Sequence, residues 1–162
     1  SLEDLCVFDF GERVSDYGVE TFDLCEVLWS DAPGVTAEYA FLIGYPTTSQ
    51  RWNFNEGDEP ELIGVVNGWI LQYLQADNPG LMDTEHRNMF IQHKQSNKLE
   101  VEPDGLSGSP VFSIVYDAAL NRYLRFDGIV SNARGSRFAV YPSTRIRDFL
   151  DLIVADAAQT QM

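Results

Sequence analysis

Apolar residues along this chain come in short runs separated by clusters of Gly, Pro, Asp, Asn and Ser, the pattern of strands joined by turns. "DLCVFDF" (4–10) predicts a short apolar strand, and "GERVSDYG" after it a polar, turn-rich connection. "FDLCEVLW" (22–29) fits a second strand, and "SDAPGVTAE" (30–38) a loop. "YAFLIGYP" (39–46) predicts a buried strand closed by Gly44 and Pro46, and "TTSQRWNFNEGDEP" (47–60) a polar loop. "ELIGVVNGWILQYLQ" (61–75) is rich in β-branched and aromatic residues and predicts a hairpin turning at Asn67-Gly68. A helix is its rival, opposed by two internal glycines. From "MFIQH" (89–93) onward, apolar runs alternate with turns: "PVFSIVYD", "RYLRFDGIVS" and "RFAVYP", with "DAALNR" (117–122) as a hairpin loop. One helix is expected, at the end, capped by Ser143, with Ile146, Phe149, Leu150 and Ile153 on one side. No internal repeat or low-complexity segment interrupts this pattern. Many short strands and one terminal helix point to an all-β barrel or sandwich.

Composition narrows the classes. With 162 residues, 44% hydrophobic and 12% aromatic, the chain has enough apolar material for one domain with a sizeable core, or two very small ones. No apolar run reaches the roughly 18–20 residues that span a bilayer, so no membrane partner is expected. "SLEDLCVFDFGERV" carries acids where a signal peptide needs basic residues. Any targeting segment is therefore expected to have been removed or never present. A net charge of -14 argues against nucleic acid as a partner and serves solubility, with steering of a basic substrate as the alternative. Cys6 and Cys25 are too few for a disulfide framework, although one bridge stays open, and no CxxC or Cys/His spacing suggests redox chemistry or zinc. The compartment stays open, and nothing calls for a cofactor.

Candidate chemistry centres on "PDGLSGSPVF" (103–112), where two glycines, two serines and a proline precede an apolar run. Downstream come, in order, the strand "VFSIVY", then "FDGIVSNARG" (126–135), then "FAVYP" (138–142), then the helical "STRIRDFLDLIV". This order resembles the C-terminal half of trypsin-like serine peptidases of bacterial type. There a G-x-S-G-x-P nucleophile loop leads into a strand, a G-I-V-S strand, a V-Y strand and a closing helix. "AFLIGYP" upstream is similar to the first strand of that family's second barrel. The resemblance covers residues 36 to 155. It implies an all-β fold, a trypsin-like barrel with a C-terminal α-helix. Residues 1–35 would form the end of a first barrel and a linker, 36–142 the second barrel and 143–157 the helix.

By the same resemblance Ser107 is the nucleophile, with the amides of Gly105 and Ser107 as the oxyanion donors. Gly105 leaves the backbone free to turn its amide inward, Gly108 allows close approach behind the serine, and Pro110 stiffens the exit. Ser109 sits where the family has a small residue facing away. Leu106 stands where secreted digestive relatives carry an aspartate that pairs with a freed N-terminus. Leucine cannot make that pair, which resembles bacterial branches that need no such activation. Asp4 in "EDLCVF" matches the setting of the family's aspartate, with Asp9 as the alternative and a solvated terminal acid as the non-catalytic reading.

The family's histidine belongs tens of residues before Asp4, and the expectation is a fragment whose catalytic base lies outside these residues. His86 and His93 fall between Asp4 and Ser107, which inverts the family order, and are expected to be structural or surface residues. His86 lies near Asp83 and Glu85, but no HExxH or other paired spacing supports a metal site. The resemblance also implies a substrate pocket lined by Val101 and Glu102 near its base, by Ser131, Asn132 and Ala133 along one wall, and by Ala139 opposite. The edge of 131–133 would pair with an extended peptide. The two alanines favour small or medium apolar side chains, whereas an inward Glu102 favours a basic one. Expected partners are a peptide or protein substrate, and a first barrel or another chain covering the face that an isolated half exposes. The alternative function is a pseudopeptidase that keeps the barrel as a peptide-binding or scaffolding domain. A third reading is an unrelated β-sandwich with a chance Gly/Ser turn, whose Gly105 and Ser107 amides would not converge.

Overall fold

The computed structural model describes residues 23–54, 62–76, 87–93 and 103–160. The predicted strand at 4–10, and with it Asp4 and Asp9, lies outside them, as do His86, Val101 and Glu102. The described strands are β1 (Leu28–Trp29), β2 (Thr36–Gly44), β3 (Gln50–Phe54), β4 (Leu62–Asn67), β5 (Ile70–Ala76), β6 (Asn88–Gln92), β7 (Pro110–Tyr116), β8 (Arg122–Arg134) and β9 (Arg137–Pro142). A single α-helix among the described residues, α1 (Ser143–Thr160), follows directly on β9.

Six of the strands close on themselves. β8 pairs with β7, β7 with β2, β2 with β5, β5 with β6, β6 with β9, and β9 returns to β8, each pair antiparallel. Each of the six strands therefore has a partner on both sides over part of its length. Its long member is β8, which meets β7 from Arg122 to Ile129 and β9 from Gly128 to Arg134. β1 runs parallel to β8 along its outside, through Leu28–Arg125 and Trp29–Phe126.

Strand alternation sorts the side chains into two cores. Ala40, Leu42, Leu74, Phe90, Val111, Val130, Phe138 and Val140 fill the barrel with Leu106. Phe112, Phe126 and Tyr141 point outward and are roofed by Ile146 of α1, with Leu24, Val27 and Trp29 packed against them. The N-terminal segment and the helix start are tied to each other. The Ser30 amide donates to Ser143 Oγ (3.0 Å), Arg147 pairs with Asp31 (2.9 Å), and the Arg147 guanidinium lies over the Trp29 ring (5.5 Å). No helix among the described residues is long and apolar enough to cross a membrane.

Four sequence expectations need correction. "FDLCEVLW" is not one strand: Asp23 accepts the Cys25 amide (2.7 Å) and starts a 3-10 turn at Leu24–Glu26, leaving only β1 extended. The expected polar loop 47–60 contains a 3-10 turn and then β3, whose alternating Trp52 and Phe54 find a partner in β4. The 61–75 stretch does turn at Gly68, but not into a hairpin. Gly68 donates to the Ser49 carbonyl (3.0 Å), so the chain rounds a corner, with β4 pairing back to β3 and β5 joining the barrel. Ser143 opens α1, but its hydroxyl accepts from Ser30 rather than capping its own helix, which runs to Thr160 rather than 157.

Candidate active site

The 103–109 loop is held from both flanks. β7 lies between β8 and β2, so the loop that enters it has β8 on one side and the end of β2 on the other. On the β8 side, Gly108 donates to Val130 (2.8 Å) and Val130 to Ser109 (2.9 Å). On the β2 side, Thr47 donates to Asp104 (2.9 Å), and a Cβ on Gly105 would lie 2.6 Å from Thr47 N and Oγ1. Gly105 and Gly108 both have positive φ, 85° and 87°, where L-residues are strained.

Between these stitches the side chains alternate sharply. Leu106 is fully buried in the barrel core, a burial worth about 1.5–3 kcal/mol, and it pins the middle of the loop. Its neighbours Gly105 and Ser107 are exposed. Ser109 is buried, its side chain packed against Gly44 at the end of β2, where a Cβ would collide with the Ser109 hydroxyl and with Leu106. The loop therefore separates its two serines: Ser107 faces solvent, and Ser109 faces away, as expected.

The amides alternate too. Leu106 donates to Pro103 (3.1 Å), Gly108 to Val130 and Ser109 to Leu106 (3.0 Å). Among the described residues no backbone carbonyl accepts from the Gly105 or Ser107 amide. Two amides without a backbone acceptor among the described residues thus flank a buried leucine, beside one exposed serine.

Ser131, Asn132 and Ala133, which the resemblance assigns to a pocket wall, lie on β8, and Ala139 lies on β9. Ser131 follows Val130 at a β-bulge, between Val130–Val140 and Asn132–Ala139 in the pairing with β9. Its hydroxyl donates to the Ala139 carbonyl (3.1 Å) and accepts from Arg87 Nε (2.9 Å), while the Arg87 guanidinium stacks on Tyr141 (4.8 Å). Asn132 is exposed and Ala133 half-buried against the barrel core. Ala139 is buried between Met89 and Asn132 in register. β7 reaches β8 only as far as Ile129, so past Val130 the β8 edge opposite β9 has no paired strand among the described residues. His93 continues β6, its amide donating to Tyr73 (2.9 Å), which makes it part of the barrel wall.

Sequence reasoning missed two things. Arg87 carries no motif, yet it bonds Ser131 and stacks on Tyr141. The second is the β3–β4 ribbon, whose base at Gln50 adjoins the 47–49 turn that grips the loop. No group of three or more metal-ligating side chains gathers among the described residues, and Cys25 carries an exposed free thiol.

The chain was compared with protein-family models, curated proteins and solved structures. None of the three yields a match.

Proposed function

We propose that this chain carries the nucleophile-bearing barrel of a trypsin-like serine endopeptidase. The observation that carries the reading is the alternation at 105–109: Ser107 exposed, Leu106 and Ser109 buried, and the Gly105 and Ser107 amides without a backbone acceptor among the described residues. A closed antiparallel barrel with a terminal helix, and a β8 edge beside the loop that is unpaired among the described residues, fit the same reading. Ser107 Oγ attacks the scissile carbonyl while a histidine outside these residues takes its proton, with Asp4 orienting that histidine. The Gly105 and Ser107 amides hold the oxyanion, the amine leaves with the proton, and water then cleaves the Ser107 ester. The extended substrate pairs with 131–133. Tyr39, Leu71 and Tyr73 stand exposed on the outer face of β2 and β5, which suits a covering barrel or chain.

A fluorophosphonate probe on the natural full-length protein tests this. Modification at Ser107, lost in Ser107→Ala and kept in Ser109→Ala, supports catalysis. Absence of labelling leaves the pseudopeptidase, a barrel that binds peptides without cutting them.

A further inference from the structure

The strand that clasps the Ser107 loop, β8, departs from regular pairing at residues 127 and 131. Against β7 the register runs from Tyr116–Arg122 to Phe112–Phe126 and resumes at Val111–Gly128, so Asp127 is an extra residue, a β-bulge. Against β9 the register steps between Val130 and Asn132, at Ser131. Val130 lies between the two bulges and makes both bonds to the loop, accepting from Gly108 (2.8 Å) and donating to Ser109 (2.9 Å).

The Asp127 bulge decides which way this stretch faces. Phe126 and Ile129 both pack in the outer core, although unbroken alternation puts only residues an even number apart on one face. Without the extra residue, Ile129 rather than Val130 would stand opposite Ser109, and every side chain beyond it would turn to the other face. The bonds of Val130 to the loop therefore belong to the bulged register. Asp127 itself is fastened from both strands. Its carboxylate accepts from Ser113 Oγ on β7 and from Arg125 Nε (2.8 Å) on β8, and Ser113 and Arg125 are a cross-strand pair just before the bulge. Ser113 and Asp127 are buried, and the Arg125 side chain is 18% exposed. A buried ion pair is weak evidence for stability, and its best-attested use is to fix register. Next to it, Gly128 has a φ of 143° and lies so close to β9 that a Cβ would collide with the Tyr141 carbonyl.

We infer that Asp127 is a positioning residue for the Ser107 loop: its carboxylate, held by Ser113 and Arg125, locks the β8 bulge and with it the register in which Val130 clasps Gly108 and Ser109. The lock itself does not depend on Ser107 being a nucleophile. Its effect on the reactivity of Ser107 rests on that reading.

Amide hydrogen exchange, followed residue by residue by NMR on the full chain, tests the lock in wild type, Asp127→Ala, Asp127→Asn and Ser113→Ala. Asp127→Ala should speed exchange at the Gly108 and Val130 amides roughly tenfold more than at amides of the β2–β5 pairing, across the barrel from β8. The asparagine oxygen can still accept from Arg125 or Ser113, so Asp127→Asn should restore most of the protection. Ser113→Ala removes one tie and no charge, and should show the same local pattern more weakly, which keeps the test open if Asp127→Ala does not fold. On the natural full-length protein, fluorophosphonate labelling of Ser107 should slow roughly tenfold in Asp127→Ala and recover in Asp127→Asn. Exchange that quickens evenly over the barrel, or no local change in either alanine variant, overturns the lock. Local exchange with unslowed labelling overturns the positioning role. The local pattern without any labelling of wild type keeps the lock and removes the hydrolase reading; labelling with even exchange keeps the hydrolase and removes the lock.

Discussion

The two glycines of the loop look alike in sequence and differ in what surrounds them. Gly105 and Gly108 have nearly equal positive φ, yet a Cβ at Gly105 strikes Thr47, whereas one at Gly108 meets nothing within 4 Å. Gly108→Ala should therefore cost only the left-handed penalty, about 1–2 kcal/mol. Gly105→Ala adds a collision with a backbone amide engaged to Asp104, and should cost clearly more, by roughly 1–3 kcal/mol. Urea unfolding of the two variants side by side measures the gap; equal losses would mean that the loop is not packed on the 45–47 corner. Glycines at turn positions were legible in the sequence, as was the contrast between Ser107 and Ser109. The clash partner was not, because Thr47 is distant in sequence and reaches Gly105 only through the barrel. The same holds for Arg87, whose Nε donates to Ser131 at the β8 bulge while its guanidinium lies over Tyr141.

Among the elements, strands buried on the interior face were the most readable, since "YAFLIGYP" and "PVFSIVYD" carry their own apolar patterns. β3 was not readable: its Trp52 and Phe54 sit between polar residues, and only pairing with β4 makes the segment a strand. The helix shows how far local periodicity reaches. Ile146 roofs the outer core and Leu150 packs against it, but Leu152, Ile153 and Val154 are exposed. The spacing predicts the amphipathic side without revealing where the barrel beneath it ends. Ile146→Ala should accordingly cost about 2–3 kcal/mol, close to the lower end for buried aliphatic truncations. Leu152→Ala should change stability by no more than about 0.5 kcal/mol. Thermal or denaturant melts distinguish the pair, and a large loss at Leu152 would show that the outer half of α1 is docked.

At the scale of the whole molecule, 25 acidic residues against 11 basic ones make stability a question of pH. Three exposed carboxyls are held below their usual range: Asp31 by Arg147, Glu38 by Arg122, and Asp117 by hydrogen bonds led by the Asn121 side chain. What they contribute is present above the ordinary carboxylate range and is lost as pH falls through their depressed values. Asp127 behaves oppositely. It is buried on β8, accepts from Ser113 and Arg125 (2.8 Å), and burial pushes its carboxyl up despite both partners. Its contribution is fully present below the ordinary aspartate value and is lost as pH rises through the elevated one. Repulsion among the excess acids also grows as pH rises. Both trends favour a stability maximum on the acid side of neutrality, bounded below by protonation of the three paired surface acids. Urea midpoints between about pH 4 and pH 8, inside the range where folded domains are commonly most stable, should show that maximum. Asp127→Asn should flatten the decline on its alkaline side, so that any advantage of the wild type shrinks as pH rises. An advantage that grows instead would mean that the Arg125 guanidinium outweighs burial, and that the barrel holds Asp127 as a stabilised carboxylate.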